Sequence, residues 1–273
     1  MATRFYLPSS GTAPVAPAYN TGWEDTSIAA ALPGRIYKKS TAGSTVSFDD
    51  ASAANRDILY RQYVSQPLLA QTIAIQTIKF QILASQTDAG NNLFTTLLIY
   101  VVNNAGSSVI GTVLAMTKDG TEPAASLTNR LFSATSSSLA VSESDRLVFE
   151  IGLSGDPANG KSHDGSLRIG DVSVSDLPED DTTTADNNSW IEFATGVSMR
   201  TVDYKIVSIN DIGTSTTVVF RVYRNDYATP LTRSTVFGSY TKVLSGSNTP
   251  AQCRTDLITN ECFKYGTPIS AQQ

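Results

Sequence analysis

Residues 71–83 read QTIAIQTIKFQIL, an alternation of apolar and polar residues that is typical of β-structure. Ile73 and Ile75 have one parity, and the apolar residues that follow them have the other (Ile78, Phe80 and Ile82). Because neighbouring side chains of a strand point to opposite faces, one regular strand cannot send both sets into the same core. The change of parity at residues 76–77 therefore predicts a β-bulge or a strand that passes from one sheet to another.

A second strand stands out in RLVFEIG, residues 146–152, where Leu147, Phe149 and Ile151 share one face and Val148 and Glu150 share the other. This pattern predicts a half-buried antiparallel strand. Similar short runs, separated by turns rich in Gly, Asn and Asp, predict further strands at 44–48, 58–64, 95–102, 108–116, 130–134, 166–169 and 189–193. We therefore expect a mainly β protein whose main domain, residues 44–200, is a jelly-roll-like antiparallel β-sandwich.

The two ends of the chain differ from this middle part. Residues 1–43 carry prolines with aromatic residues between them and no helical or strand period, which predicts an extended N-terminal arm lying on its own domain or on a neighbouring subunit. Residues 201–273 hold three strand candidates and one helix, with Thr249 as N-cap, Pro250 in the first turn and Gly266 as C-terminal cap. We expect a small C-terminal β-rich unit with a terminal helix, and an extension of the main sandwich stays open as the alternative.

Composition and charge exclude several classes of function. The longest apolar run has six residues, 97–102, whereas a membrane span needs about 20. The start MATRFYLPSS lacks the apolar core of a signal peptide. The formal net charge is −5, and no basic cluster exceeds the pair Lys38–Lys39. We therefore expect no membrane partner and no nucleic-acid partner.

No set of residues predicts catalysis. The sole histidine, His163, stands between Ser162 and Asp164 in a segment with the Gly, Asn and Pro content of an exposed loop, which favours a solvated side chain over a triad. Two carboxylates would suffice for a glycosidase, but the acidic stretch 145–192 has a single tryptophan near it. We expect no enzyme, no catalytic residue and no cofactor.

Metal binding and disulfide pairing are limited by the small number of histidines and cysteines. The acidic loop between Asp176 and Asp186 offers enough oxygen atoms for Ca²⁺ (Asp176, Glu179, Asp180, Asp181 and Asp186), but it lacks a known calcium-loop spacing, so no metal site is predicted and cation binding stays open. Cys253 and Cys262 lie on the expected helix, on opposite faces and about 13 Å apart. They cannot bond to each other, and an intermolecular disulfide stays open.

Three stretches resemble virion structural proteins of tailed bacteriophages: MATRFYLPSSGTAPVAPAYNTGWEDT at the start, SDRLVFEIGLSGDP at 144–157, and DLPEDDTTTADNNSWIEF at 176–193. The resemblance covers roughly residues 1–195. It implies a β-rich accessory component of the head, neck or tail, assembled in the bacterial cytoplasm, with other virion proteins and copies of itself as partners. The expected assembly is a homo-oligomer, a trimer or larger.

An alternative function is a carbohydrate-binding protein that recognises a receptor, such as the tip of a fibre touching a host surface glycan. Such sites stack sugars on exposed aromatic side chains. The candidates in this sequence are Trp23, Trp190, Tyr223, Tyr227 and Tyr240.

Overall fold

The computed structural model describes residues 2–34, 41–49, 54–155, 162–171, 189–224, 235–261 and 264–268. The chain forms two compact units. Unit 1 consists of Met1–Ser65 and Ala70–Val197, and unit 2 of Gln66–Leu69 and Ser198–Gln273. The sequence-based boundary at residue 200 falls close to this division, but the short piece 66–69 belongs to unit 2 although it is distant in sequence.

The chain is mainly β, with several antiparallel sheets. The strands up to residue 197 are β1 (Thr3–Tyr6), β2 (Ala31–Pro33), β3 (Thr41–Phe48), β4 (Arg56–Pro67), β5 (Gln71–Ile73), β6 (Thr77–Gln86), β7 (Leu93–Val102), β8 (Val109–Lys118), β9 (Thr128–Thr135), β10 (Leu139–Val141), β11 (Arg146–Gly155), β12 (Gly165–Asp171) and β13 (Trp190–Phe193). After them come β14 (Thr201–Asp211), β15 (Ser215–Arg224), β16 (Thr235–Ser245), the helix α1 (Pro250–Asp256), a π-helical turn (Leu257–Glu261) and β17 (Thr267–Pro268).

Unit 1 contains two large sheets. One has the order β1-β13-β6-β12-β3, with β9 also paired to β6, and the other has the order β2-β4-β11-β7-β8. The two sheets pack on each other through aromatic side chains, since the Phe149 ring centroid lies 4.9 Å from that of Phe5 and 6.4 Å from that of Phe193. The pairs β1–β13, β13–β6, β6–β12, β12–β3, β6–β9, β11–β7 and β7–β8 are antiparallel, and the short pair β2–β4 is parallel.

The change of parity after Ile75 is a change of sheet, which is one of the two alternatives that the sequence predicts. β5 pairs with β10 in a separate two-stranded sheet, whereas β6 pairs with β9, β12 and β13 in the large one. Ile75 lies exposed in the connection, where the chain turns, and the apolar residues after it are buried (Ile78, Phe80 and Ile82). The sequence between the strands therefore forms a corner.

The expectation that β11 is half-buried is wrong. All ten of its residues are buried. Val148 belongs to an apolar cluster with Trp23 on the face of the sheet that the sequence assigned to solvent, and Val15 and Tyr19 pack against the same cluster. The second face of the strand is buried because residues from the N-terminal part of the chain cover it.

In its described residues, unit 2 consists of one sheet, the helix α1 and the π-helical turn that follows it. The sheet order is β16-β15-β14-β17, and its core contains Phe220 together with Cys253 and Leu257 from the helical part. The predicted helix start is confirmed, since the Thr249 side chain accepts a hydrogen bond from the Gln252 N–H in a capping box. Gly266 does not cap α1: a Cβ there would lie 2.6 Å from the Arg200 carbonyl oxygen, so glycine permits a close backbone approach instead.

Candidate functional site: the anchored N-terminal segment

Residues 2–34, called the N-terminal segment below, lie on unit 1 of their own chain. β1 pairs antiparallel with β13, and β2 pairs parallel with β4. The side chains of Phe5, Leu7 and Trp23 are buried. The sequence leaves open whether the arm lies on its own domain or on a neighbouring subunit, and the described residues of the segment add strands to the sheets of unit 1.

A buried carboxylate, Glu150 on β11, holds the middle of the segment. Its Oε2 accepts a hydrogen bond of 2.7 Å from the Trp23 indole N–H, and its two oxygens accept the Asn20 backbone N–H at 3.1 and 3.3 Å. Its Oε1 also accepts bonds from the Tyr100 hydroxyl at 2.9 Å and from the Gln62 side-chain amide at 3.0 Å. Four groups from three separate parts of the chain therefore meet at one carboxylate.

The electrostatics of this cluster favour a fixed hydrogen-bonded arrangement. Glu150 is 0% exposed, and the four groups that donate to it are neutral. Burial raises the pKa of Tyr100, and the neighbouring Glu150 charge raises it further, so the hydroxyl keeps its proton and donates. A buried charge is tolerated only when hydrogen bonds replace its hydration. Docking of the segment supplies two of these donors.

A second charged cluster fixes the start of the segment. Arg4 on β1 lies opposite Glu192 on β13, which in turn lies opposite Lys79 on β6. The Arg4 Nη2 and Nε lie 2.8 and 3.1 Å from Glu192 Oε2, and Lys79 Nζ lies 3.9 Å from Oε1. The Arg4 guanidinium carbon also lies 4.1 Å from the Trp190 ring centroid, in cation–π geometry. Both sites thus join the segment to the sheets through a carboxylate.

His163 is not the solvated loop residue that the sequence predicts. It is 0% exposed, because its ring packs against Gly155 where β11 ends: a Cβ at that glycine would lie 2.3 Å from the ring. Neither ring nitrogen has a hydrogen-bond partner among the described residues. Ser162 bonds Asp164 rather than the histidine, so these three neighbours do not form a triad.

Other sequence-based candidates fall partly outside the described residues. The acidic positions 176–186 and Cys262 lie there, so the open questions of a cation site and of an intermolecular disulfide are unchanged. Cys253 is a buried free cysteine in the core of unit 2. Within the described ranges, no group of three or more His, Cys, Asp or Glu side chains could hold a metal ion. No helix in the same ranges is long and apolar enough to cross a bilayer.

The aromatic residues proposed to stack on sugars are mostly unavailable for that role. Trp23 and Trp190 are 5% and 1% exposed, because one fills the outer cluster of unit 1 and the other lies beneath Arg4. Tyr240 is half-buried and packs on Phe220 and Tyr265, with ring centroids 5.6 and 4.9 Å away. Tyr227 and the side chain of Tyr223 lie outside the described residues.

Comparisons with known proteins find distant structural likeness only. No protein-family model and no curated protein matches the chain. A CocE/NonD family hydrolase from Staphylococcus aureus matches with a TM-score of 0.42 and 7% identity, over 72% of this chain and 36% of that chain. A second structure of a CocE/NonD family hydrolase from that organism matches with a TM-score of 0.40 and 8% identity, over 71% of this chain and 36% of that chain. The structure of the infectious bursal disease virus Gx strain matches with a TM-score of 0.24 and 14% identity, over 60% of this chain and 40% of that chain.

The prediction that the chain is not an enzyme is contradicted by the two hydrolase matches and is withdrawn. The same matches assign no activity to this chain. Their TM-scores are low, and the chain spans only 36% of the hydrolase's length. The matches therefore give no residue of this chain a catalytic role.

Proposed function

We propose that this chain is a structural or decorating component of a tailed-phage virion, acting through oligomeric contacts with copies of itself and with other virion proteins. The sequence resemblance over residues 1–195 is one support. The proposal includes a jelly-roll-like sandwich for unit 1, with the N-terminal segment as an extension of it.

The strand order is the observation that carries the proposal. Eight strands, β3, β4, β6, β7, β8, β9, β11 and β12, fall into two sets, β3-β12-β6-β9 and β4-β11-β7-β8. Numbered along the chain, these sets read 1-8-3-6 and 2-7-4-5. This exchange of strands between two sets supports the proposed jelly-roll-like sandwich, because jelly rolls divide eight strands between two sheets and recur in viral capsid domains and in lectins.

The anchored N-terminal segment supports a structural rather than a sugar-binding role. It covers the outer face of β11 and buries Trp23, and the pairing of β1 with β13 places Trp190 under Arg4. Two of the aromatic side chains proposed for sugar binding, Trp23 and Trp190, thus hold the fold. No described feature favours the receptor-recognition alternative, which we keep as an outcome of the test.

The test is a comparison of binding to particles and to cells. Virions assembled without this chain should bind the recombinant protein saturably, and mass spectrometry of complete virions should detect it at a fixed copy number. Purified host envelopes serve as the control surface. Saturable binding to envelopes without affinity for the depleted particles would contradict the proposal and favour receptor recognition. The copy number would also separate a head or tube protein, present in many copies, from a neck or baseplate protein.

A further inference from the structure

The sheet of unit 2 ends in a long strand at one edge. β16 stands first in the order β16-β15-β14-β17 and pairs with β15 from Thr235 to Ser245. Among the described strands, none pairs with its other side. The outer edge of such a strand carries backbone N–H and C=O groups in the spacing that a further strand would use.

The opposite side of the same sheet shows how an edge is normally protected. Beyond its two residues paired with β17, β14 has an extra residue, Val207, that breaks the register with β15. It also exposes the charged residues Lys205 and Asp211. Bulges and charges of this kind discourage the addition of a strand. β16 also has an extra residue, Phe237, near its start, but residues 239–245 (SYTKVLS) pair regularly with β15 and contain no proline.

The single charge in this stretch is already paired within unit 2. Lys242 Nζ lies 2.7 Å from Glu261 Oε1, and Lys264 Nζ lies 2.9 Å from Glu261 Oε2. Burial pulls the pKa of Glu261 upward, but the bonds from both lysines outweigh it and hold the pKa below its ordinary value. Lys242 therefore does not present an uncompensated charge to a second strand that carries the same residue.

Apolar side chains on both faces of β16 remain incompletely covered. Tyr240 and Leu244 are half-buried and pack at the margin of the unit 2 core. Val243, on the opposite face, is 62% exposed. A strand added beside β16 would cover residues on both faces, because cross-strand neighbours pack side by side.

We propose that the edge of β16 pairs antiparallel with β16 of a second copy of this chain, extending the unit 2 sheet across a two-fold axis. An identical strand suits this edge, because in a two-fold contact the same stretch of residues from each copy forms both sides of the interface. Lys242 carries the single charge of this stretch, and Glu261 compensates it. The inference rests on the proposed function in choosing a copy as the partner, and it names the surface for one of the self-contacts.

The test is sedimentation of the full-length chain and three double variants. Thr241→Lys with Val243→Lys places two exposed charges on β16, and Ser208→Lys with Asn210→Lys adds the same charge at exposed positions of β14. We expect the wild type and the β14 variant to sediment at twice the mass of the β16 lysine variant. The dissociation constant of the self-contact should rise about tenfold or more in the β16 variant, because like charges then face each other.

Charge complementation completes the experiment. The variant Thr241→Glu with Val243→Glu should also lose the contact, and an equal mixture of the glutamate and lysine variants should regain it. Circular dichroism verifies that each variant is folded. Equal masses for the wild type and the β16 lysine variant would overturn the inference, as would an equal loss in the β14 variant. Self-pairing without incorporation into particles would refute the proposed function alone, and incorporation without self-pairing would refute this inference alone.

Discussion

Replacing Glu150 by Gln should destabilise unit 1 strongly, although the two side chains have nearly the same shape. Gln offers one acceptor oxygen and an NH2 group where the carboxylate has two acceptors. If the oxygen keeps Tyr100 and Gln62, the NH2 group faces the Trp23 indole N–H, which Oε2 accepts at 2.7 Å in the wild type. Two donors then point at each other inside the protein.

The magnitude follows from the bonds that are lost. A hydrogen bond to a charged group contributes about 1.5–3 kcal/mol, and a buried donor left without a partner costs about 1–3 kcal/mol. With the indole N–H orphaned and the remaining bonds weakened, we expect a loss of roughly 3–5 kcal/mol in the free energy of unfolding. That is a large fraction of the roughly 5–15 kcal/mol typical of a domain.

The assay is urea unfolding followed by tryptophan fluorescence. The two tryptophans of the chain, Trp23 and Trp190, both lie in unit 1, so the signal reports on that unit alone. Glu24→Gln is the matched control, since Glu24 is exposed and accepts a single bond from the Asp57 N–H. It should shift the midpoint little.

A double-mutant cycle tests the cause of the loss. Trp23→Phe removes the indole donor, so Glu150→Gln should cost less in that background, with a coupling of about 1–3 kcal/mol. Loss of under about 1 kcal/mol for Glu150→Gln alone would refute the reasoning, because at least one buried donor should be orphaned. Absence of coupling with Trp23 would refute the assignment of that donor.

Three further predictions concern other parts of the chain. Phe5→Ala should cost unit 1 about 3–5 kcal/mol in urea unfolding, since the ring is buried against Phe149 and Phe193. Burial raises the pKa of three tyrosines, so spectrophotometric titration should show them un-ionised until unfolding sets in above about pH 10 (Tyr60, Tyr63 and Tyr100). The low pKa of Glu261 stabilises unit 2 above about pH 4.5, and this contribution is lost as the pH falls further. In Glu261→Gln, the free energy of opening of unit 2, measured by hydrogen exchange, should therefore change less with pH below about 4.5.

The sequence predicts the strands of unit 1 well where they follow a period of two. All nine strand stretches predicted between residues 44 and 200 have counterparts among β3 to β13, and the corner after Ile75 is visible in the parity of the isoleucines. β1, β2 and β10 were missed, because they have only three or four residues and follow no period. Their existence depends on partners elsewhere: β1 pairs with β13, some 190 residues away.

The candidate site was harder to predict, since its contacts are long-range. The sequence pattern places Glu150 on the solvent face of a half-buried strand, and its partners Asn20 and Trp23 lie about 130 residues earlier. A lone acid within RLVFEIG is a usable signal, because a charge inside an apolar strand needs buried donors. The sequence does not specify which donors. The burial of His163 has a different cause: the Gly, Asn and Pro content of its segment predicts an exposed loop, whereas its ring packs against Gly155 at the end of β11.

The two units treat their sheet edges differently, and this difference indicates where association should occur. In unit 1 the N-terminal segment supplies a short edge strand to each large sheet, β1 beside β13 and β2 beside β4, and short edge strands offer little template for further pairing. Arg4 and Trp23 bond to the buried carboxylates of Glu192 and Glu150, and these bonds fix the register of the segment. Apolar contacts alone specify a register poorly. At the far end of the second sheet, β8 breaks register repeatedly with β7, and its Val113 carbonyl accepts the Ser137 N–H. Such irregularities blunt an edge. Residues 239–245 of β16 have none of these features, which is why we expect the proposed self-contact at this edge of unit 2.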